Sequence, residues 1–358
     1  MEFLSHYRDM AVRNKEEQYV FLLCQGFRQA KEKINWKDAE NIKIEYLKES
    51  EQDSCQCGNA ILKAWNKSQI VAKKAKKYKA DRVLLTTLME FMPFLLFLLP
   101  TSCVLTGIIY RIFLRDDKMS GIRLWLEKFR FLLMSKFHRK GIYYILNDKG
   151  SVQKLNDIYN TSKFRFLPDP IPDINNNEVH DIRDELGIKE DKYVYLHFGG
   201  LTERKGTLEI LKAILMADSD VLADRCFIFA GKIYDDIKEK FYNLLEKARQ
   251  KTDILVFDEF CQYGFLYNLC QTCDCILIPY KMVNLSSGIL GYAAVFNKPV
   301  IAPDKGLIGD IVRDHGLGIN LKDVTADGIS KAFKVQPTNK NNNYAISNSV
   351  DNFINTLA

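Results

Sequence analysis

Apolar positions along the chain alternate between short β-rich runs and longer stretches with apolar residues three and four positions apart. The first pattern predicts buried strands and the second predicts amphipathic helices. In the first half, strands are predicted at 19–24, 43–47, 81–88, 103–110 and 142–146. Helices are predicted between them at 1–11, 58–79, 124–137 and 150–159. This alternation is typical of parallel α/β layers.

The second half repeats the alternation more regularly. Strands are predicted at 193–198, 226–230, 254–257, 275–279 and 299–302, and helices at 207–216, 265–270, 288–296 and 308–313. The last segment has apolar residues at helical spacing from Ile346 to Leu357. It therefore predicts one amphipathic helix over 344–358.

A break in the pattern falls at 166–177, where three prolines are followed by Asn175, Asn176 and Asn177. Prolines and asparagines in a cluster are typical of a stiff linker followed by a loop. The sequence therefore predicts two domains, 1–172 and 191–335, joined by a linker at 173–190. The chain is predicted to be an α/β protein with two Rossmann-like domains.

The segment 91–110 contains 20 residues without a charged side chain, which is long enough to span a membrane. Pro100-Thr-Ser102 interrupts it in the middle. A buried helix at 92–99 followed by a buried strand at 103–110 is the favoured interpretation, because covered parallel strands form continuous apolar runs. A membrane span and a shallow membrane association remain the alternatives.

Charge is divided unevenly between the two halves. The chain has 51 Lys and Arg and 45 Asp and Glu, a net charge of +6. Residues 1–172 contain 30 basic and 19 acidic residues (+11), and the remainder contains 21 and 26 (−5). A basic first half indicates an anionic acceptor or anionic lipid, with chance scatter as the alternative. The lysine run at 73–79 lies on a predicted helix without a recognition motif, so we expect no nucleic-acid partner.

Nine cysteines and no secretory signal predict a reduced, cytoplasmic protein. Peripheral contact with the inner membrane is left open. The spacings Cys55-x-Cys57 and Cys270-x-x-Cys273-x-Cys275 do not form the matched pairs of a structural zinc site. We therefore expect buried or incidental thiols and no metal.

Three segments follow predicted strands of the second half, where ligands bind in open α/β sheets. The first contains Gly199 and Gly200, whose N–H groups can approach a phosphate, and Arg204 and Lys205, whose charges can neutralise a diphosphate.

The second segment places Ser286 or Ser287 at the N-cap of a helix and Gly288 in its first turn. Free N–H groups at such a position bind anions. The third, 303–309, is a glycine-containing loop before another helix. Taken alone, the first segment could be an ordinary βα turn, the second an ordinary capped helix, and the third is weak evidence. Together the three segments favour a diphosphate site.

These stretches resemble glycosyltransferase family 4 of the GT-B fold. The resemblance rests on Gly199-Gly-Leu-Thr-Glu-Arg-Lys-Gly206, Cys273-Asp-Cys-Ile-Leu-Ile-Pro-Tyr280, Ser286-Ser-Gly-Ile-Leu-Gly-Tyr-Ala-Ala294, Asn297-Lys-Pro-Val-Ile-Ala302 and Gly306-Leu-Ile-Gly309. It implies two Rossmann-like domains facing across a cleft, with the C-terminal helix returning to the first domain.

The resemblance also implies sugar transfer from a nucleotide-sugar donor to a saccharide or lipid-linked acceptor, with retention and without a metal or other cofactor. It places the protein with the enzymes of bacterial surface-polysaccharide biosynthesis. The residues that it implicates in catalysis are Lys205, Arg204 and Asn284. Those implicated in donor binding are Gly199, Gly200, Ser286, Ser287, Gly288, Ile289 and Tyr292.

The chain departs from the family pattern at several positions. Gly200 stands where the family usually has Arg, and Asn284 and Tyr292 stand where it has two Glu residues. No His stands at the family's usual place after the strand at 103–109. The first strand of the N-terminal domain is expected to be missing, since the helix at 1–11 comes first. A catalytically degenerate binding or scaffold protein is therefore the alternative to an active transferase.

Overall fold

The computed structural model describes residues 2–28, 36, 38–138, 140–171, 174, 179–340 and 343–358. The chain forms two compact units, Met1–Pro168 with Val350–Ala358, and Asp169–Ser349. All strand pairs in both units are parallel within the described residues, as predicted for Rossmann-like α/β domains. The asparagine loop predicted at 175–177 lies outside the described residues.

The first unit has two separate parallel sheets. Its strands are β1 (Tyr19–Leu23), β2 (Ile42–Tyr46), β3 (Arg82–Leu85), β4 (Val104–Ile109), β5 (Ile142–Leu146) and β6 (Phe164–Leu167). Its helices, apart from the C-terminal one, are α1 (Glu2–Arg13), α2 (Glu49–Gln56), α3 (Ala60–Tyr78), α4 (Leu95–Leu98), α5 (Gly121–Lys136) and α6 (Lys149–Tyr159). Strands β1 and β2 form one sheet, and the other has the order β3-β4-β5-β6.

Several predicted bounds in this unit change. The helix predicted at 58–79 is confirmed as α3 and begins at Ala60, because Gly58 has a φ of +81° and the Asn59 side chain accepts a hydrogen bond from the N–H of Leu62, which caps the helix. The pattern missed α2, which precedes it. The strand predicted at 81–88 ends at Leu85. The pattern also missed β6, because the break predicted from Phe166 onwards overlaps it.

The uncharged run at 91–110 is a buried helix-strand unit, although its helix is only one turn long. Leu95 and Leu96 of α4 are buried, as is the length of β4 from Leu105 to Ile109. No helix within the described ranges is both long enough and apolar enough to cross a membrane.

The second unit has one six-stranded sheet. Its strands are β7 (Tyr193–Phe198), β8 (Arg225–Ala230), β9 (Asp253–Phe257), β10 (Cys275–Leu277), β11 (Val300–Pro303) and β12 (Gly318–Leu321). Its helices are α7 (Thr207–Met216), α8 (Ser219–Leu222), α9 (Asp235–Ala248), α10 (Tyr263–Thr272), α11 (Gly288–Val295), α12 (Gly306–His315), α13 (Ala326–Ala332) and α14 (Asn343–Ser347). The strand order is β12-β11-β10-β7-β8-β9.

The predictions from sequence did not include α9, β12 or α13. Helix α9 was predictable, because its apolar residues recur at helical spacing and are all buried: Ile237, Phe241, Leu245 and Ala248. Strand β12 is four residues long and half-buried, so its pattern is weak.

The segment predicted as a linker at 173–190 is folded where it is described after residue 179. Ile182 and Ile188 are buried in the core of the second unit. The N–H of Ile182 donates to Thr272 Oγ1 at 2.9 Å, and Arg183 Nη2 lies 2.9 Å from Asp274 Oδ2. Residues 179–190 therefore belong to the second unit.

The single C-terminal helix predicted at 344–358 is divided in two. Helix α14 belongs to the second unit, where Tyr344 is buried, and α15 (Val350–Leu357) belongs to the first. Phe353 of α15 packs edge-to-face against Phe3 of α1, with ring centroids 5.5 Å apart. Ile346 is 68% exposed, so the apolar stripe does not continue through it.

Candidate functional site

The sheet of the second unit has a topological switch point between β7 and β10. From β7 the chain continues through β8 to β9 in one direction, and from β10 through β11 to β12 in the other. The connections diverge beyond the carboxyl ends of β7 and β10, which leaves the crevice where open α/β sheets bind ligands. The three segments identified in the sequence follow β7, β10 and β11.

A tight glycine turn ends β7. Gly199 has a φ of +87°, in the region that favours glycine. Its N–H donates to Ala230 O at 2.9 Å, and a Cβ on Gly231 would lie 2.1 Å from Gly199 O. The ends of β7 and β8 are thus held at a distance that excludes any side chain at Gly231.

Lys205 is the cation nearest this turn. Its Nζ donates to Phe198 O at 3.3 Å and lies 5.5 Å from the centroid of the Tyr280 ring. Burial, and secondarily the charge of Arg204, lower the pKa of Lys205 to about 8. Within the described residues no carboxylate lies within ion-pair distance of it. A half-buried cation without a counter-ion is suited to an anionic ligand.

Arg204 is exposed, whereas Lys205 is half-buried. Both residues lie in the short 3₁₀ turn Glu203–Lys205. Gly206, the N-cap of α7, has a φ of +73°, and a Cβ there would lie 2.1 Å from Pro279 O. This close approach fixes the Arg204–Lys205 turn against the segment that follows β10.

A buried histidine supports the same contact. His197 is 1% exposed, with Nδ1 2.9 Å from Leu277 O and Nε2 3.0 Å from Thr207 Oγ1. Burial lowers the pKa of His197 to about 3, so the ring is neutral at physiological pH. It connects β7, β10 and the first residue of α7, and its role is to position these elements.

Tyr280 connects Lys205 to the first turn of α11. Its ring is 3% exposed and stacks beneath Lys205 Nζ at the distance given above. Burial raises the pKa of Tyr280 well above its usual value, and the neighbouring Ser287 side chain partly opposes this. The phenol therefore remains protonated and neutral.

Ser287 occupies the N-cap of α11, but its side chain does not cap the helix. The N–H groups of Gly288 and Ile289 in the first turn are therefore not satisfied by the cap residue. A Cβ on Gly288 would meet no atom within 4 Å, so this turn faces open space. The side chain of Ile289 is buried, which leaves its backbone N–H as the group able to contact a ligand.

Ser286 contacts a carboxylate within the second unit. Its Oγ donates to Asp169 Oδ2 at 2.5 Å, and the N–H of Asp169 donates to Asn348 Oδ1 at 3.0 Å. Of the two serines expected at the N-cap of α11, Ser287 occupies the position, whereas the Ser286 hydroxyl points to Asp169.

Asn284 lies beside the third segment. A Cβ on Gly306, which has a φ of +67°, would lie 2.7 Å from Asn284 Oδ1. The N–H of Ile308 donates to Val283 O at 3.2 Å. The loop after β10 and the start of α12 are thus in direct contact at Asn284.

Tyr292 belongs to an aromatic cluster. Its ring lies 5.5 Å from Phe198 in an edge-to-face arrangement and 5.9 Å from Tyr267. The side chain that stands in the place of a family Glu therefore packs against the end of β7.

The cysteines behave as buried thiols in the second unit. Cys270, Cys273 and Cys275 are free and buried, and burial raises the pKa of Cys273 to about 12. No group of three or more His, Cys, Asp and Glu side chains in the described part of the chain is placed to hold a metal ion.

Sequence reasoning did not identify His197, Asp169 or the supporting role of Tyr280. His197 could have been identified from the sequence, because it is a histidine within an otherwise apolar strand. The contact between Asp169 and Ser286 joins residues 117 positions apart and left no local pattern.

No known family model matches the chain, and its sequence finds no match among curated proteins. Its structure is similar to that of WaaG, a glycosyltransferase involved in lipopolysaccharide biosynthesis, at 15% identity over 95% of each chain (TM-score 0.58). It is also similar to Anabaena Alr3699/HepE in complex with UDP, at 12% identity over 95% of this chain and 98% of that chain (TM-score 0.63).

Sucrose-phosphate synthase from Thermosynechococcus elongatus is similar at 10% identity, with 95% of this chain and 97% of that chain covered (TM-score 0.64). At these identities the similarity establishes the fold. The chain has the α/β fold of the GT-B glycosyltransferases, with parallel sheets in two Rossmann-like units.

Proposed function

We propose that the protein is a glycosyltransferase that moves a sugar from a nucleotide-sugar donor to a saccharide or lipid-linked acceptor. The observation that carries the proposal is Lys205, a half-buried cation without a carboxylate partner in the described structure, at the switch point of the second sheet. The diphosphate of the donor supplies the missing negative charge. As the glycosidic bond to the sugar breaks, that charge grows, and a preorganised cation stabilises it.

The surroundings of Lys205 support a diphosphate ligand. The turn at Gly199 and Gly200 and the N-terminus of α11 at Gly288 offer backbone N–H groups and an open approach. Arg204 adds a second cation at the rim. A structural neighbour, Anabaena HepE, has been crystallised with UDP and with UDP-glucose, which supports a nucleoside diphosphate as the ligand class.

The proposal includes retention of the anomeric configuration and a reaction without metal or other cofactor. Lys205, Arg204 and the dipole of α11 take the part that a divalent cation plays elsewhere. Asn284 and Tyr292 contact the donor through hydrogen bonds. The setting proposed is the cytoplasm, at the inner membrane, in the assembly of a bacterial surface polysaccharide.

The decisive experiment incubates the protein with a panel of nucleotide sugars in EDTA and measures release of nucleoside diphosphate, with and without saccharide acceptors. We expect release from at least one donor, and an α-configured product from an α-configured donor by NMR. In Lys205→Ala, turnover falls by roughly 10²-fold or more. Lys240→Ala, an exposed lysine on α9, is the matched control and retains activity.

A second candidate is a catalytically degenerate protein that binds a nucleoside diphosphate without turnover. The presence of Asn284 and Tyr292 where the family has two Glu residues favours this candidate. The hydrogen bond from the Ser286 hydroxyl to the Asp169 carboxylate also favours it. Titration calorimetry with UDP and other nucleoside diphosphates separates the two. Binding that depends on Lys205, with no turnover of any donor, selects this candidate, whereas no binding at all rejects both.

A further inference from the structure

Helix α5 of the first unit carries an apolar stripe on its solvent side. Ile122 is 80% exposed, Trp125 61%, Leu126 48%, Phe129 42% and Leu132 39%. At 100° per residue these positions fall within about 120° of one another around the helix. The opposite side is buried through Phe131 and Met134, so the stripe is additional to the face that packs on the core. Exposed apolar patches of this kind are interaction sites.

The stripe is flanked by cations on both sides. On the same helical projection, Arg123 lies on one flank and Lys128 on the other. Neither has a carboxylate within ion-pair distance in the described structure. The one acidic residue of the helix, Glu127, is paired with Arg130 at 2.8 Å. The residue types and their order around the helix are those of a helix that lies in a membrane interface.

The aromatic side chains have an ordered arrangement. The rings of Trp125 and Phe129 are stacked, with centroids 5.4 Å apart and an interplanar angle of 2°. Next to them a groove of about 510 Å³ is lined mainly by apolar side chains, with Lys128 as its charged group. The groove extends the apolar area beyond the helix itself.

We propose that this surface, the α5 stripe with Arg123 and Lys128, docks on the surface of an anionic lipid bilayer. Trp125 and Phe129 enter the headgroup region, and the two cations contact anionic headgroups. Charge complementarity identifies this occupant, since an apolar centre with unpaired cations on both flanks matches lipid tails beneath negative headgroups. The net charge of +11 over residues 1–172 adds long-range attraction to the same surface.

Exposure decreases along the helix from Ile122 at its start to Leu132 near its end. The beginning of α5 therefore projects furthest and enters the bilayer most deeply. This orientation places Trp125, rather than Phe129 or Leu132, as the most sensitive reporter of insertion.

The test is co-sedimentation of the full chain with vesicles of phosphatidylglycerol and phosphatidylcholine, compared with phosphatidylcholine alone. We expect binding to the anionic vesicles, weakened at least about tenfold by Trp125→Gln with Phe129→Gln. Arg123→Gln with Lys128→Gln removes the preference for anionic vesicles. Phe260→Gln, at an 83% exposed position of the second unit, is the matched control and leaves binding unchanged.

Tryptophan fluorescence gives an independent readout. A blue shift on anionic vesicles that is lost in Trp125→Phe, while sedimentation persists, places Trp125 in the interface. Circular dichroism verifies that each variant is folded. Equal sedimentation of the wild type and the Trp125/Phe129 variant overturns the proposal. The proposal is also overturned if the protein does not bind vesicles but forms a concentration-dependent dimer that Trp125→Gln abolishes. That result would identify a second copy of the chain as the occupant of the surface.

Discussion

The two units share an α/β plan but differ in the continuity of their sheets. In the second unit β7, the first strand, lies in the middle of the order β12-β11-β10-β7-β8-β9. If β7 were removed from that order, a two-stranded sheet and a three-stranded sheet would remain. The first unit has such a division, with β1 and β2 in one sheet and β3 to β6 in the other.

The division leaves strand edges without a partner among the described strands. The N–H of Tyr19 donates to Asn41 O at 2.8 Å, so in a parallel ladder the alternate residues Val20 and Leu22 direct their backbone groups to the other edge. In β3 the corresponding residues are Arg82 and Leu84, since Asp81 O accepts from Val104 N at 2.7 Å. The central strand thus provides both hydrogen-bond continuity and, in the second unit, the turn that holds the candidate site.

The largest expected effect concerns the glycines at this turn. Gly231→Ala places a Cβ 2.1 Å from a backbone carbonyl at a φ of +136°, so we expect a loss of roughly 3 kcal/mol or more in unfolding free energy. In the first unit, Gly107→Ala meets the Leu88 side chain at 2.8 Å and costs less, because a side chain yields more easily than backbone. Urea denaturation measures both.

Gly264→Ala is the control for these substitutions. Its Cβ would meet nothing within 4 Å in helix α10, so it should stabilise the protein by about 0.5–1 kcal/mol. Equal effects of Gly231→Ala and Gly264→Ala would contradict the close packing of β7 on β8.

The second prediction concerns His197 and acid. Because burial lowers the pKa of His197 to about 3, the unfolded chain binds a proton below its ordinary pKa of about 6.5 and the folded chain does not. Stability of the second unit therefore falls with decreasing pH, by about 2 kcal/mol between pH 6.5 and 5. Hydrogen exchange of β7 against pH measures it, and His197→Gln should reduce the slope. An unchanged slope would show that His197 is accessible to protons.

The third prediction concerns the charge on Lys205. Its pKa of about 8 lies below the unfolded value, so stability rises with pH between about 8 and 10.4, and the full penalty is present below pH 8. Lys205→Met should stabilise the free protein at pH 7 by about 1–2 kcal/mol while abolishing nucleoside-diphosphate binding. Thermal unfolding and calorimetry check the two parts. Destabilisation with binding retained would assign Lys205 a structural role only.

The smallest expected effect lies at the open edges of the first unit. The amides of Val20, Leu22, Arg82 and Leu84 should exchange with deuterium roughly tenfold or more faster than those of β7, because no described strand accepts a ladder hydrogen bond from them. Hydrogen exchange resolved by NMR measures each amide. Protection equal to that of β7 would mean that the edges are covered and that the two units do not differ in this respect.

The sequence alone determined the α/β class and the locations of the three segments proposed to bind phosphate. Hydrophobic alternation placed β7, β8 and β10 within two residues, because strands buried on both faces have continuous apolar runs. Gly199, Lys205 and Gly288 were identifiable since glycine turns and cations at strand ends have local signatures. Their roles in donor binding and catalysis stay predictions.

Only the tertiary structure decided which of these residues meet and what they contact. The switch point between β7 and β10 depends on strand order, which no local pattern encodes. The depressed pKa of Lys205 arises from burial, and the Ser286–Asp169 contact arises from chain segments far apart in sequence. The same holds for the C-terminal segment. Its helical periodicity was predictable from the sequence, but its division between the two units depends on which core each apolar side chain packs into.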